Sequence, residues 1–220
     1  MARTKLGTTI RRDQIAEAAL LLFAESGLRE VSVAAVARRV GIAPSALYRH
    51  YPGKDEILDA VLERMRERML GIVASVAEGP GDAVDALRRL HALHIALVLE
   101  NRALFPLLVS DAFQSGSPER RRRVHAVLTA YLARVAALAR RGQREGSIRA
   151  DVSPQTVALM FLGVVQPPAM LSVLSAGAFD PRRPGREAWR LFEQTLRGAP
   201  APAPSHARRT PRARHAGGTR

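Results

Sequence analysis

The sequence contains no cysteine. Disulfides, thiolate metal sites and cysteine nucleophiles are thereby excluded, and the composition suits a reducing cytoplasm. Aromatic residues are scarce, at 5%, which argues against an aromatic-rich sheet. Gly and Pro, 16 and 14 of 220 residues, are far too few for a collagen-like chain. Lysine is nearly missing: of 34 basic residues only Lys5 and Lys54 are lysine, a usage that reads as coding bias rather than function. A secretory signal is not expected, because Asp13, Glu17 and Glu25 interrupt the apolar pattern after the basic start. Long apolar runs are also lacking. Residues 152–179 carry no charge, but Pro154, Gln155, Gln166, Pro167 and Pro168 divide them. The apolar run at 157–165 falls well short of the roughly 20 residues of a membrane span, so a buried or partner-facing helix is expected and no membrane partner.

Hydrophobic residues make up 47% of the chain, enough to bury a core. Against 34 basic residues stand 20 acidic ones, a formal net charge of +14. That balance favours a polyanionic partner. Residues 1–55 hold nine basic and five acidic side chains, and residues 198–220 hold five arginines and no acid. The middle is the least basic part per residue, so a nucleic acid should meet the ends.

Apolar residues recur at intervals of three and four throughout, which predicts an all-α chain. A first helix is expected over about 9–25, with Ile15, Ala18, Ala19, Leu22 and Phe23 on one stripe. Ser32 is a good N-cap for a short second helix buried through Val36, Ala37 and Val40. Gly41 stops that helix, and Pro44 opens a third, where its missing amide costs nothing. A long fourth helix starts at Lys54, its acids first as the helix dipole prefers. Further helices are expected near 82–100, 102–114, 118–143, 153–176 and 185–197. Pro167 and Pro168 should kink or split the 153–176 helix. The tail from Gly198 is too polar and Pro-rich to join a core and is expected to be disordered.

Residues 31–54, VSVAAVARRVGIAPSALYRHYPGK, place two short helices around a tight turn at Gly41-Ile42. That is helix-turn-helix logic, in which the second helix enters the major groove. Ala37 suits the crossing point, and Val36, Val40, Ile42 and Leu47 supply the apolar centre. Ser45, Tyr48, Arg49, His50 and Lys54 are left to face outward. The run from Leu47 to Lys54, followed by Asp55-Glu56-Ile57-Leu58, resembles the hallmark of the TetR family of transcriptional regulators. So does the preceding helix with Ala18, Phe23 and Gly27. A weaker match is Gly146-Ser147-Ile148-Arg149 followed by Asp151-Val152-Ser153-Pro154.

The resemblance implies a homodimer of about nine helices per subunit: a helix-turn-helix DNA-binding domain over 1–53, and a ligand-binding and dimerisation domain over 54–197 with a linking helix at 54–77. It implies that Ser32, Tyr48, His50 and Lys54 touch phosphates of double-stranded operator DNA, that Ser45, Ala46 and Arg49 lie near base edges, and that Pro44 also belongs to the DNA-binding set. Position 43 departs from the family pattern, with Ala43 where a small polar residue is usual. A small apolar or amphipathic effector would release a repressor from a palindromic operator. Candidate ligand-pocket residues are Met65, Met69, His91, His94, Phe105, Tyr131 and Gln166. Candidate dimer residues are Phe161, Val165, Leu171, Leu174, Trp189 and Phe192, because a helix apolar on all sides must be covered on all sides.

His91 and His94, three residues apart, read as core or pocket histidines rather than metal ligands, since no cysteine or paired carboxylate accompanies them. Arg120 to Arg123 read as a solvated helix start. No nucleophile triad, phosphate loop or HExxH motif is present, so an enzyme is not expected and no cofactor is called for. The competing readings are a basic helical protein that coats nucleic acid without sequence preference and, behind it, an all-helical enzyme.

Overall fold

The computed structural model describes residues 2–26, 31–101, 118–175 and 177–197. Among them are eight helices and no strand: α1 (Ala2–Ser26), α2 (Val33–Val40), α3 (Pro44–Tyr48), α4 (Lys54–Ala77), α5 (Ala83–Glu100), α6 (Pro118–Glu145), α7 (Pro154–Leu174) and α8 (Arg182–Arg197). The helix expected at 102–114, Phe105 and the tail at 198–220 lie outside the described residues.

Helix α1 begins earlier than its apolar stripe, which is the only signal a periodicity reading can use. Ile15, Ala19, Leu20 and Phe23 on α1 meet Val36 and Ala37 on α2, Leu47 on α3, and Ile57 and Val61 on α4, all buried. Ala37 is fully buried between neighbours, as a helix crossing requires. The long α4 continues from this cluster into the body. Its inner face, through Met65, Met69, Val73 and Val76, joins one contiguous core with α5, α6, α7 and α8.

Two corners fix the body. Helix α5 starts in a reciprocal capping box: the Asp85 amide donates to Asp82 Oδ1 at 2.9 Å, and the Asp82 amide donates to Asp85 Oδ2 at 3.3 Å. At the end of α6, Gly142 lets three elements meet. A Cβ there would lie 2.6 Å from Ile148 Cδ1 and 2.8 Å from Ala83 Cβ. The Ser147 and Ile148 amides both donate to the Gly142 carbonyl, and the Arg149 amide donates to Leu196 at the end of α8, at 2.8 Å. The Gly146-Ser147-Ile148-Arg149 segment is thus the corner that ties α6 to α8. Ser153 then caps α7, accepting from the Thr156 amide at 3.1 Å.

Two expectations are corrected in α7. The helix is not split: it runs unbroken through Pro167 and Pro168. Neither proline can donate to the carbonyls of Gly163 and Val164, but packing on α6 and α8 carries the helix past them. Nor is α7 covered on all sides by a partner alone. Val157, Ala158, Phe161 and Val165 are buried by the chain's own helices, while Leu159, Met160, Met170, Leu171 and Leu174 face out. By composition and length Pro154–Ser172 is the one described stretch that would suit a membrane, and about a third of it is buried in the fold.

Candidate nucleic-acid interface and the body behind it

Helix α2 is held at both ends. Ser32 Oγ accepts from the Ala35 amide at 3.1 Å, and Gly41 adopts φ 75°, its amide pointing at Ala37 and Arg38 carbonyls. The Ile42 amide donates to the Ala37 carbonyl at 3.0 Å. This closes the turn and delivers the chain to Pro44. Only glycine adopts that left-handed backbone without strain. Helix α3 has no side-chain cap: Ala43 precedes Pro44 with nothing to offer the free amides. Leu47, fully buried, anchors α3 to α1 and α2.

With Leu47 inward, Pro44, Ser45, Tyr48 and Arg49 are exposed, and Ala46, His50 and Lys54 are half-buried. Ser32 is exposed, although its oxygen serves as the α2 cap. The sequence-predicted DNA residues, from the α2 N-terminus across α3 to the start of α4, thus all reach solvent at least in part. Among the described residues His50 Nδ1 is buried without a hydrogen-bond partner.

Behind this surface the unit is braced. The Tyr51 hydroxyl donates to the Arg12 carbonyl at 3.3 Å, and the Arg12 guanidinium stacks 4.7 Å above the Tyr51 ring. Arg39 on α2 donates to Glu25 on α1 at 2.8 Å; this hydrogen bond holds the Glu25 carboxyl below its ordinary range. Ionic contacts then tie α1 to α4, and α4 to α6. Arg68 on α4 reaches both carboxylate oxygens of Glu17 on α1 at 2.9 Å, and Asn101 Oδ1 at the end of α5 at 3.4 Å. Arg120 on α6 meets Asp55 at 2.9 Å and Asp59 at 3.5 Å, and Arg123 meets Asp59 at 2.8 Å. Arg120 is only 11% exposed. Arg120 and Arg123 therefore clamp α4, while Arg121 and Arg122 stay exposed, as a solvated helix start would have them.

Two family profiles match the chain: "Bacterial regulatory proteins, tetR family" over residues 15–61, and "Tetracyclin repressor-like, C-terminal domain" over residues 80–169. The chain belongs to the TetR family. Its fold and family are those of DNA-binding transcriptional regulators. The nucleoid occlusion factor SlmA of Marinobacter nauticus is 28% identical over 149 residues, 67% of this chain and 74% of that protein. The TetR family transcriptional regulator PfmR from Thermus thermophilus is 28% identical, with TM-score 0.64, over 86% of this chain and 97% of that one. FadR from Bacillus subtilis, solved in complex with stearoyl-CoA, shares the fold with TM-score 0.68 at 19% identity, over 83% of this chain and 98% of that one.

The body of this TetR-family chain holds a buried polar pair. His94 Nδ1 lies 2.7 Å from the Tyr131 hydroxyl, and both side chains are almost wholly buried. Burial, helped by the nearby His91, pushes the His94 imidazole down to about 4. Burial also raises the Tyr131 phenol, so both groups are neutral at pH 7. His91 is 5% exposed and stacks on Trp189, with ring centroids 5.5 Å apart. Burial lowers its imidazole as well, and among the described residues its Nε2 has no hydrogen-bond partner.

Of the candidate ligand residues that are described, His91, His94 and Tyr131 lie together in the body. Met65, Met69, His94 and Tyr131 are core packing. Gln166 is half-buried on α7, its Oε1 unpartnered among the described residues. Only His91 lines an open space, a groove of about 500 Å³ between α5 and α8 with Ile95, Leu99, Glu100, Arg182 and Arg186. Periodicity assigns Ile95 and Leu99 to a core face and gives Arg182 and Arg186 no role, which is why the groove escaped the sequence reading. The dimer candidates separate too. Phe161, Val165, Trp189 and Phe192 are buried in the chain's own aromatic core, with Trp189 and Phe192 centroids 5.7 Å apart. They are corrected to intrachain packing, because α5, α7 and α8 already cover them. Leu171 and Leu174 are exposed, at 46% and 73%.

Proposed function

We propose that this chain binds a two-fold symmetric DNA operator as a homodimer in the cytoplasm, represses transcription there, and is released by a small molecule bound in its body. In this reading the DNA-binding unit ends at residue 53 and the body begins with α4. Ser32, Tyr48, His50 and Lys54 hold phosphates, Ser45, Ala46 and Arg49 sit near base edges, and Pro44 lies in the same DNA-binding set. The observation that carries it is the α2–turn–α3 unit, whose buried face is one continuous core and whose outer face presents Tyr48 and Arg49 to solvent. Phosphate contacts set register, and base contacts set sequence.

The exposed stripe of α7, Leu159, Met160, Met170, Leu171 and Leu174, together with the exposed Leu191 of α8, supports the second copy. An apolar patch of this kind is rarely left to water. Two recognition helices must stand one helical turn apart, about 34–36 Å, to engage both half-sites. The rod of α4, clamped to α1 by Arg68 and to α6 by Arg120, is suited to change that spacing when the body changes. A ligand shifts the equilibrium only by its differential affinity for the two spacings.

Selection of bound fragments from the source genome, followed by footprinting at moderate salt, tests the reading. A protected site with two-fold symmetry supports it. Uniform binding without a preferred site, lost steeply with salt, would instead mark a non-specific coating protein.

A further inference from the structure

The groove between α5 and α8 has a chemistry of its own. Its volume, about 500 Å³, lies within the usual range of small-molecule sites, roughly 300–1,000 Å³. From His91 to Leu99 the α5 wall spans about 12 Å at 1.5 Å per residue step, and it is apolar through Ala92, Ile95, Ala96 and Leu99. The α8 wall carries Arg182 and Arg186. Arg182 touches Asp180 loosely, at 3.6 Å. Arg186 has no ion pair among the described residues, although the neighbouring Glu187 is engaged by Arg183 at 3.2 Å. Two exposed guanidinium groups beside an apolar trench match a ligand with one acidic end.

His91 also lines this groove, while its Nε2 is enclosed and has no hydrogen-bond partner among the described residues. Gly185 on α8 stands directly over it: a Cβ there would lie 3.5 Å from His91 Cε1 and 3.8 Å from Nε2. Gly185 thus closes over the imidazole edge, and the ring gives the groove a wall rather than a free polar atom. Glu100 lies at the α5 C-terminal end and disfavours a second negative charge there.

We infer that this groove binds an amphipathic anion, its acidic head held by Arg182 and Arg186 and its apolar tail laid along Ile95 and Leu99. That this occupant is also the effector rests on the regulator reading above. The groove itself is tested without DNA, so its failure is distinct from a failure of fragment selection.

Trp189, the single tryptophan of the chain, is stacked on His91 and serves as the reporter. The full chain is titrated at pH 7 with three probes of equal tail length: decanoate, decan-1-ol and decyltrimethylammonium, all below micellar concentrations. Decanoate should bind about tenfold tighter than the alcohol, the ratio expected of one or two charge-assisted hydrogen bonds, with the cation weakest. In Arg182→Gln/Arg186→Gln, whose side chains are exposed and whose folding is checked by circular dichroism, decanoate should fall to the level of the alcohol. Equal affinity for decanoate and the alcohol in the native chain would overturn the inference. So would the absence of binding, or a carboxylate preference that survives in the folded double variant.

Discussion

The guanidinium of Arg120 lies 2.9 Å from the carboxylate of Asp55, one residue beyond Lys54. The two are 65 residues apart in sequence, and they join the body of the protein to the edge of its DNA-facing unit. Because Arg120 is largely buried, its charge contributes direction rather than a phosphate contact. Arg120→Gln is expected to weaken operator binding a few-fold by loosening α4. The slope of log affinity against log salt should stay unchanged, since no counterion-releasing contact is lost. Filter binding over a salt series reads both quantities, and a flattened slope would assign Arg120 to the DNA.

Lys54 should behave in the opposite way. Lys54→Ala is expected to lower affinity on specific and unrelated DNA alike and to reduce the salt slope by about 0.9, one phosphate's worth. Arg49→Ala should instead relax base preference, by about 1–3 kcal/mol if a guanine is its partner. Competition between operator and scrambled duplexes separates the two behaviours.

The outer stripe of α7 should carry self-association. Leu171→Glu/Leu174→Glu places two carboxylates on a face that the single chain leaves open. The stability of one subunit should change by no more than about 0.5 kcal/mol per site, as for other surface positions. Sedimentation at micromolar concentration should shift from dimer to monomer. If the variant still sediments as the native protein does, the second copy sits elsewhere.

Acid should unfold the body through its histidines. His94 titrates near 4 when folded against an ordinary 6.5, so below pH 6.5 the unfolded chain binds more protons and stability falls with pH. The loss runs from about pH 6.5 down to pH 4 and amounts to roughly 2 kcal/mol at pH 5. His91 is lowered too and adds in the same direction. His94→Leu/Tyr131→Phe removes both partners of the buried pair together, so neither is left unpaired. Urea unfolding at pH 7 and pH 5 should show a smaller difference in this variant than in the native chain.

Much of this was legible in the sequence because it is written in neighbours. The caps at Ser32 and Gly41, the stop before Lys54 and the apolar stripe of α4 each depend on residues a few positions apart. The clamps were not legible. Arg120 with Asp55, Arg68 with Glu17 and His94 with Tyr131 join residues 37 to 65 positions apart, and nothing local distinguishes such an arginine or histidine from a solvated one. The reading of α7 failed for a related reason. Its uncharged sequence carries no polar face to show which side turns inward, and only the packed aromatic cluster of Phe161, Trp189 and Phe192 decides it.

Ala43 leaves the recognition helix dependent on others for its order. Five residues without an N-cap are too few to sustain a helix in water, so α3 is held by the burial of Leu47 and by the turn that Gly41 closes. The order of α3 is thus a property of the three-helix unit rather than of its own five residues, and a change at Gly41 or Leu47 reaches the outward face of α3 without touching it.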